Sequence, residues 1–234
     1  VKKTYIAHTF FKKRFYYKKT KYFSLLKKSK SINTISKKKY TCISNMKYIS
    51  PKTYAVIHKI LELVDFSQTK LREQTKVSLG RINSIIKSLE ESRTVVKSSG
   101  TYRLERPNFL IKEVSSQVKI RKKYEFSVNM PKKDFLKEMQ QHNGVFCLFS
   151  SLELIKDYSD EQIHIYYNDE IISWIKSLPL GNTTINIYES NLGIFPFEIK
   201  KGSTDFIRTL IDLKSVGFTQ DLSKPILEKW KTLQ

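Results

Sequence analysis

The stretch QTKVSLGRINSIIKSLEESRTVVKSSGTYRL, from Gln74 to Leu104, changes its period twice. After the turn Thr75-Lys76-Val77, Ser78 stands where a side chain caps a helix. Leu79, Ile82, Ile86 and Leu89 then recur at steps of three and four, which predicts a helix with these four facing inward. Arg81, Ser84, Lys87 and Ser88 fall on the outward side. Thr94-Val95-Val96-Lys97 reads as a strand, Ser98-Ser99-Gly100 as a tight turn and Thr101-Tyr102-Arg103-Leu104 as the return strand. Pro107 ends the run.

Upstream, Ser50-Pro51 pairs a capping side chain with a proline at the first helical position. Tyr54, Ile57, Leu61 and Val64 then share one face of a helix. Asp65-Phe66 interrupts it, and Ser67 caps a short second helix running through Leu71 to about Gln74. Three helices, a short turn before the third, and a two-stranded hairpin make the layout of a winged helix-turn-helix, whose third helix enters the major groove. Residues Gln74 to Leu104 closely resemble the winged-helix pattern of many prokaryotic regulators, with a V-S-x-G-R-x-N turn opening the recognition helix and L-E-x-x-x-x-V leading into the wing. The layout implies a double-stranded DNA partner. Candidate contacts are Ser78, Arg81, Ser84, Lys87 and Ser88 on the helix and Lys97 and Arg103 on the hairpin. Arg81 and Ser84 are placed for base edges, and Lys87, Lys97 and Arg103 for phosphates. The acids Glu90 and Glu91 come only at the far end of the helix. A winged helix can also serve protein contacts, in which case apolar or acidic residues are expected on that face.

Charge supports a polyanion partner. The 234 residues carry a formal net charge of +21, and residues 1–45 hold fourteen Lys/Arg and no acid. Residues 107–234 are nearly balanced, with seventeen bases and sixteen acids. The leading tract VKKTYIAHTFFKKRFYYKKTKYFSLLKKSKSINTISKKKYTCISN has no Gly, Pro or acid and no sustained period. Three readings of it stand: a disordered basic tail that binds single strands by phosphate pairing and base stacking, a targeting peptide, or upstream DNA translated ahead of Met46. The expected organisation is an α+β chain: 1–45 a basic extension, 46–114 the winged helix-turn-helix, and 115–234 a small mixed α/β domain.

Composition narrows the class. Apolar residues make up 40% and charged residues 28%, the range of globular proteins. The longest apolar run, Val145 to Phe149, is far short of the ~20 residues of a membrane span. Two cysteines, Cys42 and Cys147, suit a reducing cytoplasm and no disulfide framework. His8, His58, His142 and His164 lack ligand spacing, so no metal or cofactor is expected.

The C-terminal half alternates strand patterns (Val118–Val128, Val145–Phe149, Gln162–Tyr167, Thr184–Tyr188, Ile194–Ile199) with helical ones (Lys132–Gln141, Ser151–Lys156, Glu170–Ser177, Thr204–Ser215, Ser223–Thr232). Three chemistries are candidates for it. A Mg²⁺ nuclease would use Glu198-Ile199-Lys200 with Asp169 or Glu189, but Glu198 is expected in solvent beside a buried Ile199. A nucleotidyltransferase palm would start at Phe149-Ser150-Ser151 but lacks an acid pair on Gln162 to Tyr166. A Cys147 nucleophile with His142 or His164 sits in an apolar run, where inert cysteines lie, and His164 alternates with Ile163 and Ile165 as if on a wet strand face. No catalytic residue is expected.

The order of features in this half is similar to one family. A strand runs into a small-residue helix at Val145 to Leu154, strands follow at His164 to Tyr167 and Thr184 to Tyr188, and a TLIDL helix (Thr209 to Leu213) precedes a last helix near Trp230. With the winged helix this resembles the AbiEi-type antitoxins of type IV toxin–antitoxin systems. Phe149-Ser150 stands where that family has a Gly, and Phe206-Ile207-Arg208 where it often has a Gln. The resemblance implies a regulator that binds its own promoter and a separate nucleotidyltransferase toxin as partner. Asp212 is expected to be a cap or a local salt bridge.

Overall fold

The computed structural model describes residues 49–155 and 159–218, all within one compact unit, Met46–Gln234. The readings of residues 1–45 and of a helix at 223–232 lie outside the described residues. The architecture mixes α and β elements throughout.

Helix α1 (Pro51–Leu63) opens as its sequence predicts, with Ser50 accepting a hydrogen bond from the Thr53 amide at 3.2 Å and proline in the first turn. Strand β1 (Asp65–Phe66) follows, then α2 (Gln68–Thr75), capped by Ser67. Lys76 turns the chain in a left-handed conformation, φ 57°. Helix α3 (Leu79–Glu91) buries Ile82, Ile85, Ile86 and Leu89, each contributing about 1.5–3 kcal/mol of apolar burial. Leu79, expected inward, is 40% exposed because it begins the helix, while Val77 and Ile85 are buried.

Strands β2 (Val95–Ser98) and β3 (Thr101–Leu104) are joined by Ser99-Gly100, both at positive φ (45° and 87°). This twist matches the right-handed twist of the flanking strands. The three short strands form one sheet in the order β1-β3-β2. Pro107, expected as a terminator, starts a further helix, α4 (Pro107–Ser115), because a first helical turn needs no amide from its leading residue.

A second sheet follows. Strand β4 (Ile120–Val128) leads to α5 (Lys132–Gln141), α6 (Leu148–Ile155), β5 (Ile163–Tyr166), α7 (Asp169–Ser177) and β6 (Thr183–Ser190). The strand order is β4-β6-β5, with β6 antiparallel to β4 and parallel to β5. Ile163, Ile165, Ile185 and Ile187 pack with Phe135 and Met139 of α5 and with Ile171, Ile172 and Ile175 of α7. A short 3₁₀ turn (Pro196–Glu198), the ribbon β7 (Ile199–Lys200) and β8 (Ser203–Thr204), and α8 (Phe206–Ser215) complete the described chain.

Two predicted strands are corrected. Val145–Phe149 keeps only isolated bridges of Phe146 to Ile165 and Ser203, because α6 already starts at Leu148. Ile194–Ile199 is interrupted by the proline-led 3₁₀ turn. His164, expected wet, is buried, since β5 is buried on both its faces and Phe149 of α6 meets the His164 ring. Glu198 and Ile199 exchange the predicted roles: Glu198 is fully buried and Ile199 is 37% exposed.

The reason is Arg208 on α8, itself fully buried. Its Nε donates to Asp212 Oδ1 at 2.8 Å, Nη1 to Glu198 Oε1 at 3.2 Å, and Nη2 to the Tyr166 hydroxyl and to Ser190 Oγ, both at 2.9 Å. The Tyr54 hydroxyl of α1 donates to Glu198 Oε1 at 2.6 Å, and Tyr166 to Asp212 Oδ2 at 2.6 Å. One turn along α1, His58 lies 3.0 Å from Asp205 of the α8 cap. Asp212 thus makes the expected local salt bridge, inside a network that joins α1 to the second sheet. Such a network persists only when its charges are paired and hydrogen-bonded.

Candidate nucleic-acid interface

Helix α3 is positioned from behind. Its isoleucine side is buried, and Gln68 of α2 donates to Asn83 Oδ1 and to the Tyr102 hydroxyl of β3, both at 3.2 Å. Phe66 and Tyr102 stack under the hairpin with centroids 5.9 Å apart.

Ser78, Arg81, Ser84 and Lys87 are exposed and Ser88 is half-buried, all on or next to α3. Ser78 occupies the cap position, but its side chain makes no hydrogen bond to the helix. Arg81 is tethered, its Nη2 donating to Thr53 Oγ1 at 2.7 Å, and Thr53 Oγ1 lies 2.9 Å from Ser50 Oγ. The guanidinium therefore leans toward the first turn of α1 while its side chain stays accessible.

The hairpin divides its two basic residues. Lys97 is opposite Tyr102, and Arg103 opposite both Val96 and Asp65. Cross-strand partners share a face and neighbours along a strand alternate. Lys97 thus lies on the side of the buried Tyr102, toward the helices, and Arg103 on the outer side. There Arg103 Nε is 3.8 Å from Asp65 Oδ1. The structure brings Lys97 together with the α3 side of the sheet and sets Arg103 apart from it.

Two exposed residues were not singled out from sequence. Asn83 lies on the accessible side of α3, four residues before Lys87, and that spacing was the available signal. Lys76 is exposed in the left-handed turn ahead of α3, a conformation that no hydrophobic period reveals.

The enzymatic alternatives have these geometries. Glu198 is held by Arg208 and Tyr54, Glu189 is exposed near Lys123, and Asp169 accepts from the Tyr167 hydroxyl at the start of α7. Among the described residues no three His, Cys, Asp or Glu side chains converge where a metal ion would sit. Cys147 is fully buried, and burial pushes its thiol well above the usual range, which leaves little thiolate for nucleophilic chemistry. No described helix is long and apolar enough to cross a membrane. Scans against protein-family models, curated proteins and solved structures found no match to this chain.

Proposed function

We propose that residues 51–104 form a winged helix-turn-helix that reads double-stranded DNA, and that the chain is a cytoplasmic transcriptional regulator of the AbiEi antitoxin type. The observation that carries this reading is α3. Its buried side is aliphatic, while its accessible side presents Ser78, Arg81, Asn83, Ser84 and Lys87 with no carboxylate before Glu90. Short polar side chains and an arginine are what base edges require, and lysines are what phosphates require. Lys97 on the helix side of the hairpin supplies a second phosphate contact. The net charge of +21 favours encounter with a polyanion. A nucleotidyltransferase toxin as partner rests on the sequence resemblance.

The test is selection of duplexes from a random library by the full-length chain, followed by fluorescence anisotropy on the enriched sequence. Recovery of a common motif, with affinity reduced by Arg81→Ala, supports the reading. Recovered duplexes without a shared motif, bound equally by the variant, would sink it.

Leu79, 40% exposed at the start of α3, favours one second reading, a protein-binding winged helix. Under that reading Leu79→Ser abolishes partner capture and leaves DNA affinity unchanged.

A further inference from the structure

Under α6 and α8, the second sheet carries a hydrogen-bonded chain unconnected with α3. His164 on β5 has Nε2 3.0 Å from Asp160 Oδ2 and Nδ1 3.1 Å from the Tyr188 hydroxyl on β6. A carboxylate only accepts, so Nε2 carries the ring proton and donates it to Asp160. Nδ1 of the neutral ring is then an acceptor, and the Tyr188 hydroxyl donates its only proton there. Burial lowers the pKa of His164 and lifts the Tyr188 phenol to about 12, so the chain keeps this polarity near neutral pH. Among the described residues the Tyr188 oxygen has no other partner than His164, and so keeps free lone pairs and has no proton to give.

Tyr188 lines a cavity of about 380 Å³ together with Leu148 and Phe149 of α6 and Val216, Gly217 and Phe218 at the end of α8. The Phe149 ring meets His164 and Phe218 edge-on, at 5.4 and 5.3 Å, and His164 stacks on Tyr188 at 5.6 Å. The chain leaves α8 through bonds from Phe218 N to Leu213 O (3.0 Å) and Gly217 N to Lys214 O (3.2 Å). The negative pole of the helix therefore lies at the cavity wall. The cations near His164 are engaged elsewhere, Lys122 with Glu125 and Lys132 with Glu153.

We propose that this cavity binds a small planar ring compound bearing an N–H donor. The ring lies among Phe149, Tyr188 and Phe218, and its N–H donates to the Tyr188 oxygen. A volume near the lower end of ligand pockets, which start at about 300 Å³, suits one or two fused rings. A ring offering only an acceptor would meet an oxygen that has no proton for it, and would leave that oxygen unpaired on binding.

The probes are indole and its donor-free counterpart benzofuran, titrated into the ¹⁵N-labelled full-length chain. Indole is expected to give saturable amide shifts centred on Leu148, Phe149, Tyr188 and Gly217. It should bind about two- to tenfold more tightly than benzofuran, the value of one neutral hydrogen bond. Tyr188→Phe, which keeps the ring and removes the oxygen, should make the two bind alike. Val216→Trp, at a position 45% exposed, should fill the cavity and abolish both. Absence of saturable shifts at these amides, equal binding of the two probes to the native chain, or an indole preference that survives Tyr188→Phe overturns the proposal. Should Tyr188→Phe not fold, unchanged indole binding by Val216→Trp overturns it alone.

Discussion

The guanidinium of Arg81 donates to Thr53 Oγ1 at 2.7 Å, joining the head of α3 to the first turn of α1. An arginine so held has a defined direction in the unliganded chain. Under the proposed DNA-binding reading two roles compete for it, a reader of guanine or a clamp on a phosphate.

Base reading predicts that Arg81→Ala costs about 1–3 kcal/mol on the selected duplex and little on random DNA. Anisotropy titrations of both duplexes at one salt concentration measure this. An equal loss on both would reassign Arg81 to phosphate.

Lys97 and Arg103 should separate in the same assay. Lys97→Ala is expected to weaken selected and random DNA alike and to reduce the slope of log affinity against log salt by about 0.9. Arg103→Ala, on the outer face beside Asp65, should leave that slope unchanged. A slope reduced by Arg103→Ala would mean that DNA reaches the outer face of the hairpin.

Arg208 governs stability. Arg208→Met leaves Glu198 and Asp212 buried without their cation and should cost about 3–5 kcal/mol, roughly 6–20 °C in thermal midpoint for a chain of this size. Tyr54→Phe removes one hydrogen bond to a carboxylate and should cost about 1.5–3 kcal/mol. Midpoints within 2 °C of the native chain for both variants would contradict this role for the network.

Two buried groups give opposite pH dependences. Burial outweighs Arg208 and raises Asp212 to about 6, above the unfolded value of about 3.9. Between these values the folded chain binds the proton more tightly, so stability from this group falls as pH rises through that window. Burial lowers the pKa of His164 below its usual range. The unfolded chain therefore takes the proton first as pH drops below about 6.5, and stability from this group falls with pH. Urea midpoints from pH 4 to 7.5 should show Asp212→Asn losing the first trend and His164→Gln losing the second. Profiles parallel to the native one would refute both assignments.

Local signals in the sequence carried α1, α2, α3 and the hairpin: caps at Ser50 and Ser67, the isoleucine period and the Ser99-Gly100 turn all act within a few residues. The face of α3 was legible for the same reason, apart from Leu79, whose place at the helix start removes it from the core. Glu198, Ile199 and His164 were misjudged because their surroundings are long-range. Glu198 looks like a surface acid beside Ile199 until Arg208 and Tyr54 are placed against it. His164 looks half-wet until α6 covers it. The separation of Lys97 from Arg103 was implicit in strand alternation, but its use required the register that pairs Arg103 with Asp65.

The Tyr54–Glu198 hydrogen bond spans 144 residues of chain, and this orders events during synthesis. Helix α1 leaves the ribosome well ahead of these partners, and its buried hydroxyl and His58 find them only when Glu198, Asp205 and Arg208 have followed. At about 5–20 residues per second the delay is roughly 7–30 s. During that interval the helices and hairpin proposed to read DNA stand on an incomplete foundation. A chain broken off before Glu198 would carry every residue of α3 and the hairpin and still lack the partners of Tyr54 and His58 on α1. The part proposed to bind DNA is thus made early and completed late.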